Sequence, residues 1–150
     1  MKILVDADSC PRDARDITLN AASRRGIQAV FAANRPIPGI EGENITMEIC
    51  PPGDNSADNR MVELAESGDL AVSRDVALAK RLLEKDVNVI DDRGRVFTRD
   101  NINELLSLRD FMVGLAENNM GMERITSYGK RERKLFADSL DRHLTRLLRH

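Results

Sequence analysis

Aromatic side chains are scarce in this chain. They make up 3% of 150 residues, with no Trp and one Tyr. That argues against an exposed platform for stacking nucleic-acid bases. Only two histidines occur, His143 on the apolar side of a helical pattern and the terminal His150. They give little support to a histidine triad or a zinc site. Cysteine is equally sparse. Cys10 and Cys50 form no disulfide framework and no metal-ligand spacing, so free thiols in a reducing, cytoplasmic setting are expected. No apolar run approaches the roughly 18 residues of a membrane span. The first apolar stretch has the length of a strand, not of a signal peptide. Internal repeats and low-complexity segments are missing too.

What remains is the composition of an ordinary globular protein, 41% hydrophobic and 32% charged. The length suits one domain, residues 1–150, with a sizeable core. The net charge of −2 hides an asymmetry, because residues 130–150 carry seven Lys and Arg against three acids. A basic end on an acidic body suits an anionic polymer. It equally suits a solvated helix face with intrahelical ion pairs.

Strands and helices alternate along the chain. Ile3-Leu4-Val5 is a short apolar run that reads as a strand buried on both faces. Helical spacing follows at Ala14, Ile17 and Ala21, with Gly26 as its C-cap. Strands are expected at 27–33, 45–49, 69–73 and 87–90. Proline- and glycine-rich loops lie at 34–39 and 51–56, with Asp54 a turn residue. A short helix starts at or just before Asp58 and runs to about Ser67, broken by Gly68. Another follows Asp75, with Val76, Ala79, Leu82 and Leu83 on one face. Asp91 to Arg95 is a turn, after which Val96-Phe97 adds a short antiparallel edge. Two helices end the chain, one through Ile102, Leu105, Leu108, Met112 and Leu115, the other through Phe136, Leu140, His143, Leu144 and Leu147. The stretch between them includes Met120 and Met122, read as loop or packing residues. The pattern predicts a three-layer α/β/α sandwich with a mainly parallel sheet.

The chemistry lies in acids that end strands or open helices. Asp6 and Asp8 follow the first strand, where open α/β sheets bind ligands. Asp75 follows the strand at 70–73, and Asp58 opens the helix before it. Each has a plainer reading. Asp8 or Ser9 can cap the helix behind Pro11, and Asp58 and Asp75 can each be an N-cap. If the four converge, their repulsion raises their pKa values. A divalent cation relieves it, and an all-oxygen donor set suits Mg²⁺ or Mn²⁺. Such sites serve phosphoryl chemistry.

Around them, Asn34 and Arg35 follow the second strand as loop residues or phosphate contacts. Lys80 and Arg81 offer a rim for a polyanion. Arg109 either pairs with Asp110 or a nearby acid, or reaches substrate. Cys10 is read as a packed small side chain beside the site, and Asp91 and Asp92 as turn residues.

The segments Val5-Asp6-Ala7-Asp8-Ser9-Cys10-Pro11, Ser56-Ala57-Asp58-Asn59, 68–79, Arg93-Gly94 and Leu108-Arg109-Asp110-Phe111-Met112 together resemble the YaiI/YqxD family of bacterial proteins of unassigned function. That family in turn resembles PIN-like (PilT N-terminus) nuclease domains. The resemblance implies a parallel-sheet sandwich and places Asp6, Asp8, Asp58 and Asp75 at the positions of the PIN acids. Ser73 falls where those domains often carry Thr or Ser near the metal. PIN nucleases usually have one leading Asp, whereas this chain has two, so either Asp6 or Asp8 is the ligand.

Three functions follow as expectations. The first is a Mg²⁺- or Mn²⁺-dependent nuclease acting on RNA, or on DNA. The second is a non-catalytic module that binds RNA or protein. The third is a haloacid-dehalogenase-like phosphatase, with Asp6 as nucleophile, Asp8 as acid/base and Asp91-Asp92 as metal ligands. Exposed helix faces also allow a homodimer.

Overall fold

The computed structural model describes residues 1–53, 55–117 and 128–149. The side chains of residues 116 and 117 fall outside the description. Asp54, Met120, Met122 and His150, for which the sequence suggested turn, loop or terminal roles, lie outside the described residues.

Eleven elements are described: β1 (Ile3–Asp6), α1 (Arg12–Arg25), β2 (Ala29–Ala33), β3 (Ile45–Ile49), α2 (Ser56–Leu64), β4 (Leu70–Val72), α3 (Val76–Leu83), β5 (Asn88–Ile90), β6 (Val96–Phe97), α4 (Ile102–Glu117) and α5 (Lys130–Leu147). The strands form one sheet in the order β3-β2-β1-β4-β5-β6. All neighbours are parallel except the β5–β6 pair. The sheet therefore winds outward from β1 in both directions, and the gap between β1 and β4 is its topological switch point.

Two apolar clusters cover the sheet, as continuous apolar strands require. On one face Ile3, Val5, Phe31, Leu70 and Val72 pack with Ala14, Ala21 and Ala22 of α1 and Phe136, Leu140 and Leu144 of α5. On the other, Leu4, Val30, Ala71 and Val89 pack with Met61 of α2, Leu78 and Leu82 of α3 and Ile102 of α4. The expected three-layer sandwich is present. Beyond Leu105, α4 leaves Leu108, Phe111 and Met112 at least half exposed.

Several local expectations hold. Gly26 ends α1 in the left-handed conformation, φ 66. Asp75 caps α3, its Oδ1 accepting from the N–H groups of Ala77 and Leu78 at 3.0 and 3.2 Å. Others need correction. Neither Asp8 nor Ser9 caps α1, because Pro11 occupies the N-cap position and Ser9 turns back to Asp6. Asp58 is not an N-cap either. Asn55 holds that position, and Asp58 lies inside α2. That helix stops at Leu64, short of the expected Ser67, because Ala65 is already extended.

The two edges of the sheet treat buried acids differently. At the amino edge, Asp69 accepts from the backbone N–H of Lys2 and of Glu66, and from Lys2 Nζ at 2.7 Å. Its charge is matched where it is buried. At the carboxyl edge, Asp6 and Asp58 have no such cationic partner among the described residues.

Candidate functional site

Asp6 is the last residue of β1. The parallel register sets Val5 beside Val72, so Asp6 stands level with Ser73 just past the end of β4. Its carboxylate is buried, with Oδ2 accepting from Ser9 Oγ and Ser73 Oγ, both at 2.9 Å. Oδ1 takes no hydrogen bond from a described side chain. Burial raises the pKa of Asp6. The two serine hydroxyls work against that rise, and the charges of Asp75 and Asp8 add to it.

Ser73 ties the two strand ends together. While its hydroxyl donates to Asp6, its oxygen accepts from the backbone N–H of Asp75 at 3.0 Å. That bond fixes Asp75 at the start of α3, where the helix N–H groups hold one carboxylate oxygen. Asp58 approaches from α2. Its carboxyl is pushed up to about 6 by burial first, then by the charges of Asp6 and Asp75, and by a hydrogen bond shared with Asp75. Arg81 of α3 opposes the rise, and its guanidinium also donates to Asn59 at 2.8 Å.

Three of the four expected acids, Asp6, Asp58 and Asp75, thus share one site. Asp8 sits at its margin. Its Oδ2 accepts the backbone N–H of Asn34 at 2.7 Å, and Arg35 Nε lies 3.9 Å from its Oδ1. Asn34 Oδ1 accepts from Ser56 at the start of α2. Ser73, Asn34 and Arg35 therefore border the acids. Lys80 is half-buried on α3, and its ammonium makes no hydrogen bond or ion pair with a described residue. Arg109 lies on the exposed side of α4, paired with Asp110 at 3.2 Å, and no described contact ties it to the acids.

One part of the edge is richer than the sequence reading held. Asp91 does belong to the β5–β6 turn, accepting the backbone N–H of Arg93 and Arg95. Asp92 does more than turn. It is buried and paired with Arg74 at 2.7 Å, and its backbone carbonyl accepts from Tyr128 at 2.7 Å. The signal for it was available, since Asp92 follows β5 much as Asp75 follows β4. Cys10 behaves as the expected packed side chain, its thiol pushed up to about 12, first by burial and then by Asp92. His143 is buried, with Nδ1 2.7 Å from the Ser139 carbonyl.

The basic C-terminal helix divides between the two edges. Its first turns lie over the β5–β6 turn at the acidic edge, with Arg93 3.7 Å from Glu132 and Arg133 4.0 Å from Asp13. Lys134 makes the expected intrahelical pair with Asp138. The far end, with Arg146 near Asn88, serves the opposite edge.

The Asp58 shift has a measurable sign. A folded-state pKa above the ordinary 3.8 means that the protonated form is favoured by folding. That stability is complete below pH 3.8 and lost as pH rises through about 6. In metal-free protein, urea unfolding of wild type and Asp58→Asn should therefore diverge between pH 4 and 7, with the variant the more stable at pH 7. Asp58 is only partly buried, so the full conversion is discounted to about 1 kcal/mol. A stability difference that does not change with pH would show that Asp58 feels no such repulsion.

A doubly wound α/β fold with an acidic carboxyl edge at its switch point defines the class of this protein. Residues 4–146 match the model of the "Uncharacterized BCR, YaiI/YqxD family", and the chain belongs to that family. Among its relatives are UPF0178 proteins of Treponema pallidum (strain Nichols), 44% identical over 99% of this chain and 84% of that protein, and of Treponema denticola, 45% identical over 99% and 95%. The UPF0178 protein of Myxococcus xanthus is 41% identical over 99% and 97%. No solved structure matches the chain.

Proposed function

We propose that this chain is a divalent-cation-dependent phosphodiesterase that cuts RNA at the edge formed by Asp6, Asp58 and Asp75. One observation carries the reading. Three carboxylates from separate elements crowd the switch point, and two of them help hold the third at about 6. A site that served only the fold would be expected to match these charges, as Asp69 is matched at the other edge.

The donor set fits Mg²⁺ or Mn²⁺, since every candidate ligand is a carboxylate or hydroxyl oxygen. Asp6, Asp58 and Asp75 would hold the ion, which when bound supplies charge neutralisation and a water of lowered pKa. Ser9 and Ser73 orient Asp6 through Oδ2, and the N-terminus of α3 orients Asp75. Arg35, Arg81 and the exposed Lys130 and Arg131 give the edge a cationic rim for a polyanion. The likeness to PIN-like domains supports the same reading.

A second reading, a non-catalytic RNA- or protein-binding module, is favoured by one observation. Among the described residues, no three His, Cys, Asp or Glu side chains are placed to hold a metal ion as they stand. Metal binding would have to draw the carboxylates together. For the phosphatase reading, Asp91 is already committed to the backbone of its turn.

The deciding experiment incubates purified protein with single-stranded RNA in Mn²⁺, beside the same mixture in EDTA and beside Asp75→Asn. Cleavage in Mn²⁺ alone, lost in folded Asp75→Asn, is the expected result. Cleavage that survives the substitution at matched purity overturns the nuclease reading. RNA binding without any cleavage moves the assignment to the binding module.

A further inference from the structure

We propose that the cleft between α1 and the β2–β3 connection is a nucleotide subsite. It would take one nucleoside monophosphate unit of a strand whose scissile phosphate lies at the acidic edge. The proposal rests on the phosphodiesterase reading and gives it a substrate contact.

The cleft encloses about 400 Å³, lined by Arg12, Arg15, Asp16 and Leu19 of α1 and by Ile37, Pro38, Gly39 and Ile40 of the connection. That volume lies within the roughly 300–1,000 Å³ of small-molecule sites. Its two walls differ in chemistry.

The first wall is cationic and unsatisfied. Arg15 is half-buried, and its Nε is closed from solvent without a hydrogen-bond partner among the described residues. No described carboxylate pairs with its guanidinium. A guanidinium that no described carboxylate neutralises, on the wall of a cleft, can pair with an anion that enters it. Arg12 adds a second guanidinium. Its described partner is Asp16, 4.0 Å away, with both side chains largely in solvent. Asp16 is the one acid of the lining, and it leaves the cleft net cationic. Planar guanidinium groups match phosphate oxygens in pairs.

The second wall is aliphatic. Ile37 and Pro38 of the connection, with Leu19 from the α1 side, offer a face to a base or ribose, and buried Ile40 completes the lining. In a chain this poor in aromatics, apolar packing takes the place of ring stacking. An inorganic anion would use only the first wall, whereas a nucleotide uses both.

The position suits a flanking nucleotide. The connection leaves β2 at Asn34, whose N–H binds Asp8 Oδ2 at 2.7 Å. The other wall begins at Arg12, just past the Asp6–Cys10 segment. Both walls therefore spring from segments that carry the acids.

The test is calorimetric titration of metal-free protein in EDTA with adenosine 5′-monophosphate, and separately with inorganic phosphate. The nucleotide is expected to bind about tenfold or more tightly than phosphate. Arg15→Met should weaken nucleotide binding by about tenfold, and Ile37→Ser should erase the preference over phosphate. Arg12→Gln, a change at an exposed side chain, reads the same wall should Arg15→Met fail to fold. Equal affinity for nucleotide and phosphate overturns the proposal. So does nucleotide binding that neither arginine variant changes, or no binding in the millimolar range. Because the titration needs neither metal nor cleavage, its failure is separable. Nucleotide binding without Mn²⁺-dependent cleavage keeps the subsite and removes the nuclease. Cleavage without nucleotide binding does the reverse.

Discussion

Asp6→Asn is expected to abolish Mn²⁺ binding and RNA cleavage while leaving the fold as stable as before, or more so. The two halves of this expectation have one cause. Asp6 is the most buried of the three acids, and burial together with Asp75 and Asp8 opposes its charge. Asn keeps the shape and an oxygen to accept from Ser9 and Ser73. It removes the charge that folding tolerates and that a cation needs. Partners outside the metal's own shell are commonly worth 10–100-fold in affinity, so a ligand at the centre should be worth about a hundredfold or more. Calorimetry with Mn²⁺ and a thermal melt on the same preparation check both halves. A variant that melts well below wild type would mean that the charge of Asp6 holds the fold together. A variant that binds Mn²⁺ like wild type would remove Asp6 from the ligand set. Loss of binding with retained or raised stability is the pattern of a site whose function costs stability.

Gly94→Ala should lower the melting temperature by about 6–12 °C. Gly94 turns the chain between β5 and β6 with φ +85, a conformation that strains any residue with a Cβ. Space is the second obstacle. A Cβ there would lie 2.5 Å from the carbonyl oxygen of Leu135 and 3.0 Å from Ser139 Cβ, both on α5. A backbone carbonyl cannot step aside alone, so the helix must lift from the sheet. Lifting α5 would loosen Phe136, Leu140 and Leu144. Strain and clash together cost about 3 kcal/mol, and each kcal/mol shifts a domain of this size by about 2–4 °C. A melting temperature within about 2 °C of wild type would mean that α5 is not seated on this turn. The same variant should disturb Asp92 and Arg93, which neighbour Gly94 at the acidic edge.

Much of this was legible in the residues themselves. Apolar runs of three to five residues announced the parallel strands, because strands covered on both faces admit few polar side chains. Gly26 marked the end of α1, since its left-handed conformation suits glycine. Asp75 read as a cap and is one. The caps proposed for Asp8, Ser9 and Asp58 were less secure, because several residues near a helix start can serve and packing selects among them. The sequence reads Asp92 as a turn residue or, in the phosphatase reading, a metal ligand, and not as the partner of Arg74, for a related reason. A carboxylate beside a glycine turn looks solvated until the strand that positions it is placed next to β4.

By itself, the sequence determined the order of strands and helices, the buried character of the sheet, and the acids that end β1 and β4. Those depend on side chains a few residues apart, where periodicity and turn chemistry act directly. Only the tertiary structure decided which acids meet. The strand order sets β1 against β4 across 67 residues, joining Ser73 to Asp6 and bringing Asp58 in from α2. It also left the Arg15 guanidinium without a described carboxylate beside the β2–β3 connection. Charges gathered from distant segments repel or pair only after the backbone has brought them together, so spacing along the chain cannot report them.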